Sequence, residues 1–147
     1  MHIKLLPSQI PMVWEHIKFG IAQIGEVPNE YMNTYCVHLL HRLLSGSYQC
    51  WVLLNADRVL LNISVTKITE DPFQGARELW IEGFYAFQGT TVTSMTELFS
   101  LYRAFAKKMG CARVAASSRV PRAKEILEQH GFVAQRQVYT LSVEVSP

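Results

Sequence analysis

Two periodicities take turns along the chain. His2 to Leu6 is a short β-type run that Pro7 stops. Ile10, Val13, Trp14, Ile17, Ile21 and Ile24 then recur at helical spacing, which predicts a helix over 8–24 ended by Gly25 and Pro28. Met32, Tyr35, Cys36, Leu39, Leu40, Leu43 and Leu44 make the apolar face of a second helix over 30–45, with Asn29 as its cap and Ser45-Gly46 as its stop. The texture then changes to period two. Residues 49–54 are β-rich, and Asn55-Ala56-Asp57-Arg58 has the composition of a turn. Over 59–68, Val59, Leu61, Ile63 and Val65 alternate with Asn62, Ser64 and Thr66. After a loop at 70–75, residues 78–87 give a third strand of this run, and together the three predict an antiparallel meander.

Helical spacing returns at Met95, Leu98, Phe99, Tyr102, Phe105 and Met109. Ser94 and Glu97 open that helix as a capping box, and Gly110 closes it. Residues 112–117 are a short strand, and Pro121 suits the first turn of a last helix over 121–130. The stretch 133–145, with Tyr139, Leu141, Val143 and Val145 alternating, is predicted as a final strand. The order is β-α-α-β-β-β-α-β-α-β. The strands at 78–87 and 112–117, joined through a helix, are expected to be parallel neighbours that splay at one end. The predicted fold class is therefore α/β: a single domain over 1–147 with a mixed sheet and helices on both faces.

Composition supports a core that needs no staples. A chain of 147 residues with 49% hydrophobic and 18% charged positions is of globular type. No apolar run approaches the ~20 residues of a membrane span. Met1 to Pro7 has no long apolar stretch of the kind a secretory signal carries. Cys36, Cys50 and Cys111 are an odd, sparse set, expected to be reduced, intracellular and buried as small hydrophobes. Charge is unevenly spread: residues 1–97 hold six Lys/Arg against nine Asp/Glu, and 98–147 hold eight against three. The acid-free stretch between Leu98 and Lys124 suits either an anionic ligand or a solvated basic face. His38 and His41 lie three residues apart on a helix, but no third ligand at a recognisable spacing joins them, so no metal is expected. Basic and aromatic residues do not interleave as they do on nucleic-acid-binding surfaces, so nucleic acid is not the expected partner.

The element order, with two local segments, resembles the Gcn5-related N-acetyltransferase (GNAT) superfamily over essentially the whole chain. Pro121-Arg122-Ala123-Lys124-Glu125-Ile126-Leu127-Glu128-Gln129-His130-Gly131-Phe132 is similar to that family's N-P-x-A…L-Y-x-x-x-G-F segment, and Phe105-Ala106-Lys107-Lys108-Met109-Gly110-Cys111 before a strand is similar as well. The resemblance implies acetyl-CoA bound between the splayed strands, its pyrophosphate on a Q/R-x-x-G-x-G/A loop that enters the third helix. Counting back from Gly110 puts that loop at Thr90–Met95, where both glycines are missing and Thr90 stands for Gln/Arg. The candidate cofactor contacts are Phe87, Gly89, Thr91, Thr93 and Ser94, with Arg119 and Arg122 from the basic stretch. β-Branched residues crowd such a loop, so acetyl-CoA binding is expected to be weak or absent. The family's Asn and Tyr in the last segment align with Val120 and Leu127, and a leucine cannot protonate a departing thiolate.

Glu82 falls where several members of that family keep a general base. It can equally be a strand carboxylate paired with a nearby lysine or arginine. Tyr85 and Tyr139 are the remaining phenols on strands able to face the cleft, though a buried tyrosine with one satisfied hydroxyl is the commoner use of this residue. Cys111 has no histidine at a helpful spacing for nucleophilic work. Two functions stay open. One is an acyl-CoA-dependent N-acetyltransferase of unknown acceptor in the cytoplasm. The other is a non-catalytic binding protein on the same fold, docking a protein partner through exposed apolar surface. It would resemble eroded acetyltransferase-like products of phage genes, some of which are virion components.

Overall fold

The meander over 48–86 forms the centre of the structure. The computed structural model describes residues 1–71, 75–117, 121–135 and 138–143. They fall into two compact units, 1–117 and 118–147. In the first unit β1 (His2–Lys4), β2 (Tyr48–Leu54), β3 (Leu60–Glu70), β4 (Arg77–Ala86) and β5 (Arg113–Ala116) make a five-stranded sheet in that order. Neighbours are antiparallel up to β4. β4 and β5 run parallel, from Glu78 opposite Arg113 to Ile81 opposite Ala116. The pairing stops there, while β4 continues to Ala86. Over residues 82–86 the β5 side of β4 is therefore paired with no strand among the described residues. The two strands are parallel neighbours, as expected from the sequence.

Helices α1 (Ile10–Ile24) and α2 (Met32–Leu44) cover one face of the sheet. Ile10, Ile17, Leu39 and Leu43 from the helices meet Cys50, Val52, Ile63 and Val65 from β2 and β3 in a single buried cluster. Gly25 ends α1 with φ 72°, a left-handed conformation that glycine adopts without a Cβ penalty. Helix α3 (Val92–Lys108) packs on the other face through Met95, Leu98, Phe99, Tyr102 and Ala106. There it meets the polar row of β3. Asn62, Ser64 and Thr66 are buried, so their polar atoms need partners. Thr66 Oγ1 donates to Gln49 Oε1 at 2.9 Å and accepts from Trp51 Nε1 at 2.9 Å. Ser64 Oγ is hydrogen-bonded to the Tyr102 hydroxyl. Trp51 stands edge-on to Tyr102 and Phe105, with centroids 5.2 and 5.6 Å away.

Helix α3 starts two residues earlier than its predicted capping box. Thr91 is the N-cap: its Oγ1 accepts from Ser94 N–H at 3.0 Å. The Glu97 carboxylate, released from the predicted box, lies 3.0 Å from Nδ1 of buried His2 and ties α3 to β1. Cys36 and Cys50 are buried and Cys111 is half-buried. Burial pushes the Cys50 thiol up to about 12. An unfolded cysteine ionises near 9, so between these values the native state holds a proton that the unfolded state releases. Stability should then fall as pH rises through that window. Urea midpoints measured at pH 8 and pH 10.5 should show a loss that shrinks in Cys50→Ala, and an identical loss in both proteins would remove Cys50 as the cause.

In the second unit α4 (Pro121–Gln129) forms as predicted. It closes with Phe132 N–H on Leu127 O, and Gly131 adopts φ 91°. The strand predicted over 133–145 does not form in its described residues, 133–135 and 138–143. Alternation only permits a strand; a strand persists when a neighbouring ladder takes up its backbone groups. Val138, Tyr139, Leu141 and Val143 are instead exposed side chains of irregular chain.

Candidate functional site

β3 and β4 change register at one point. Val65 lies opposite Gly83 and Thr66 lies opposite Ile81, which leaves Glu82 with no partner in the ladder. Glu82 is thus the extra residue of a β-bulge. In an unbroken strand Glu82 and Gly83 would project to opposite faces of the sheet. The bulge turns the Glu82 carboxylate to the face covered by α1 and α2. There the Tyr35 hydroxyl, from α2, donates to Glu82 Oε1 at 3.1 Å. Lys67 Nζ, from β3, stands 2.9 Å from Glu82 Oε2. The Glu82 side chain is 19% exposed and the Lys67 side chain 25%. Burial and the adjacent Glu82 carboxylate both push the Tyr35 phenol up, so Tyr35 remains a proton-bearing donor at neutral pH. Burial works against the Lys67 charge, but the hydrogen bond and charge of Glu82 outweigh it and leave the ammonium above its usual range.

Glu82 opens into a cavity of about 240 Å³ between α1, α2 and β4. Ile17, Ile21, Ile24 and Leu39 supply most of the helical wall, and Glu82, Gly83 and Tyr85 come from the strand. At its end the Tyr85 ring lies edge-on to Phe19 and Phe87, with centroids 5.8 and 5.1 Å away. Tyr85 passes so close to α1 that a Cβ on Gly20 would sit 3.0 Å from Tyr85 Cβ, and the strand or helix would have to give by a few tenths of an ångström to take it. Residues 82–85 of β4 therefore line the cavity, while among the described residues no strand pairs with their β5-side edge.

The structure sets Glu82 and Tyr85 in the wall of one cavity, with the Phe87 ring against Tyr85. Tyr139, expected on a strand, is 85% exposed in irregular chain of the second unit, because the strand that was to carry it does not form. Phe87, expected at the cofactor, turns its ring onto α1 beside Phe19 and His16, and its N–H donates to Leu61 O at 2.9 Å. The Phe87 amide is therefore spent on β3. Thr91 and Ser94 cap each other: the Thr91 N–H lies 3.3 Å from Ser94 Oγ in return for the Ser94 amide. Thr93 is exposed in the first turn of α3, and a Cβ on Gly89 would meet nothing within 4 Å. Arg122 is exposed on α4, and Arg119 lies outside the described residues. Tyr35 and Lys67 were not among the sequence candidates. They reach Glu82 from 47 and 15 positions away along the chain, and the one available signal was Gly83, since a glycine inside a strand pattern often marks a bulge. Among the described residues no three His, Cys, Asp or Glu side chains gather as metal ligands, and no helix is long and apolar enough to cross a membrane.

Comparison with known proteins places the fold. No protein-family model matches the chain, and no curated protein matches its sequence. Solved structures do match it. A GCN5-related N-acetyltransferase from Ralstonia eutropha superposes with a TM-score of 0.75 at 16% identity, covering 98% of this chain and 99% of its own. An acetyl transferase described as putative, from Pyrococcus furiosus, gives 0.74 at 18% identity over 97% and 100%. A predicted acetyltransferase from Clostridium acetobutylicum, solved with acetyl-CoA, gives 0.73 at 12% identity over 97% and 96%. The fold is that of the GNAT acetyltransferases.

Proposed function

We propose that the chain is an acyl-CoA-dependent N-acyltransferase, with the acceptor amine in the cavity beside Glu82 and a weak grip on the CoA diphosphate. The observation that carries this reading is the setting of residues 82–86 of β4. Among the described residues no strand pairs with the β5 side of 82–86, and the bulged Glu82 carboxylate lines the cavity. A bound acyl-CoA would supply an acyl group activated as a thioester. Amides on the β5-side edge of β4 would hydrogen-bond the acyl carbonyl oxygen and favour the charge it gains. Glu82 would take the proton released as the acceptor nitrogen bonds to the carbonyl carbon. Tyr85 would give its proton to the sulfur as the carbon–sulfur bond breaks, in the role that Leu127 cannot fill, and recover one from Glu82 through solvent. The products are an amide and a free thiol, and the protons balance.

The diphosphate end fits less well. Helix α3 begins soon after β4, and its N-terminus favours an anion. The Thr91 hydroxyl, however, already occupies the Ser94 amide. Thr91→Gly should free that amide while costing the helix only a few tenths of a kcal/mol, since glycine is a tolerated N-cap. One charge-assisted hydrogen bond regained should tighten CoA binding about tenfold. Calorimetric titration of both proteins with CoA reads this directly; unchanged affinity would take the diphosphate away from this turn.

The competing reading, binding without catalysis, draws on the same capped turn and on Leu127. Thiol release from millimolar acetyl-CoA in the presence of a panel of amines, with calorimetry alongside, separates the two. Neither heat nor thiol would reject the enzyme.

A further inference from the structure

We infer that the acceptor is a compact, apolar primary amine, docked as its ammonium on Glu82, which gives one proton to solvent before the neutral nitrogen attacks, with its hydrocarbon body on the α1–α2 wall. This inference rests on the reading of the cavity as an acceptor site and narrows it to a ligand class. Three observations carry it. First, among the described residues no Lys, Arg or His lines the cavity, while Glu82 and Glu26 do. Lys67 balances only one of these two carboxylates, so the site stays net negative and favours a cation. Second, an ionised carboxylate offers about four lone-pair positions. Tyr35 and Lys67 hold Glu82 from one oxygen each, which fixes its direction and leaves positions open toward the cavity. Third, the remaining wall is mostly aliphatic: Ile17, Ile21, Ile24, Val27 and Leu39 offer no side-chain partner to a ligand hydroxyl. A sugar or a peptide would bring more polar groups than Tyr35, Ser64, Tyr85 and the two carboxylates can pair. At about 240 Å³ the cavity is also smaller than the ~300–1,000 Å³ of pockets for drug-sized ligands.

Gly83 gives the inference a size test. A Cβ there would make ordinary contact with Ile24 Cδ1 at 3.5 Å, so alanine fits the fold but narrows the space between β4 and α1.

The experiment titrates the free protein, without acyl-CoA, with butylamine, hexylamine, hexan-1-ol, 6-amino-1-hexanol and phenethylamine. Hexylamine should bind at least tenfold tighter than the alcohol of equal length, since only the ammonium brings a charge opposite to that of Glu82. It should also bind tighter than 6-amino-1-hexanol, whose hydroxyl gives up water against a mostly aliphatic wall. Glu82→Gln should abolish the preference for amine over alcohol. Gly83→Ala should weaken phenethylamine more than butylamine. Equal binding of hexylamine and hexanol, or a preference that survives Glu82→Gln, would overturn the inference. Selective amine binding with no transfer from acetyl-CoA would uphold it and sink the acyltransferase reading. Turnover that favours an amino sugar over hexylamine would do the reverse.

Discussion

Glu82→Gln should lower kcat for acyl transfer about 10²–10⁴-fold, the range a positioned general base contributes. The substitution preserves shape. Its amide oxygen can still accept from Tyr35, so the strand, the bulge and the cavity should stay in place. The variant loses the ability to hold a proton, together with the charge that pairs with Lys67. Because the Lys67 side chain is 25% exposed, water can take over that pairing, and the fold should survive with an unchanged circular dichroism spectrum. The decisive comparison is with Tyr35→Phe, which keeps the carboxylate but removes one of the two groups aiming it. If Glu82 is the base and Tyr35 only positions it, Tyr35→Phe should retain most of kcat and raise KM. A Glu82→Gln enzyme that turns over at the parent rate would end the assignment.

Tyr102→Ala should cost about 3–5 kcal/mol, as removal of a buried aromatic ring does. Since a domain's whole stability is only about 5–15 kcal/mol, this variant should be partly unfolded at 37 °C. Tyr102 is 1% exposed, stands edge-on to Trp51 and shares a hydrogen bond with Ser64 at the centre of the α3 face. Burial raises its phenol, while the Ser64 bond opposes that rise. Tyr102→Phe should separate packing from hydrogen bonding. It keeps the ring and strands the Ser64 hydroxyl, at about 1–3 kcal/mol. Adding Ser64→Ala should restore part of that loss, because an absent hydroxyl needs no partner. Urea unfolding of the three variants reads the series, and a double variant no more stable than Tyr102→Phe would show that the hydrogen bond is not what stabilises this face.

The sequence made most of the fold legible wherever periodicity was strong. The α3 face, Met95 through Tyr102, is buried as spaced, and the parallel β4–β5 pair lies where the order of elements put it. The last strand was over-read because alternation at Tyr139, Leu141 and Val143 says which faces a strand would have, and nothing about whether a ladder receives it. The start of α3 was misplaced for a local reason. Thr91-x-x-Ser94 and Ser94-x-x-Glu97 are overlapping capping patterns, and sequence cannot tell that buried His2 claims Glu97. The site was half legible. Glu82 could be picked out as a carboxylate on the right strand, and its pairing with a lysine was one of the two readings. What makes it more than a surface pair is the slip between β3 and β4, a property of register that no single strand carries in its own pattern.

That slip also separates architecture from chemistry. Residues 81 and 83 already face consecutive residues of β3, Thr66 and Val65. A chain lacking position 82 alone would pair straight through, with every side chain before and after it on the face it now occupies. The carboxylate is thus an insertion that the sheet accommodates but does not need. A lineage could lose or gain the candidate chemistry by a single codon, without repacking the core and without passing through an unfolded ancestor.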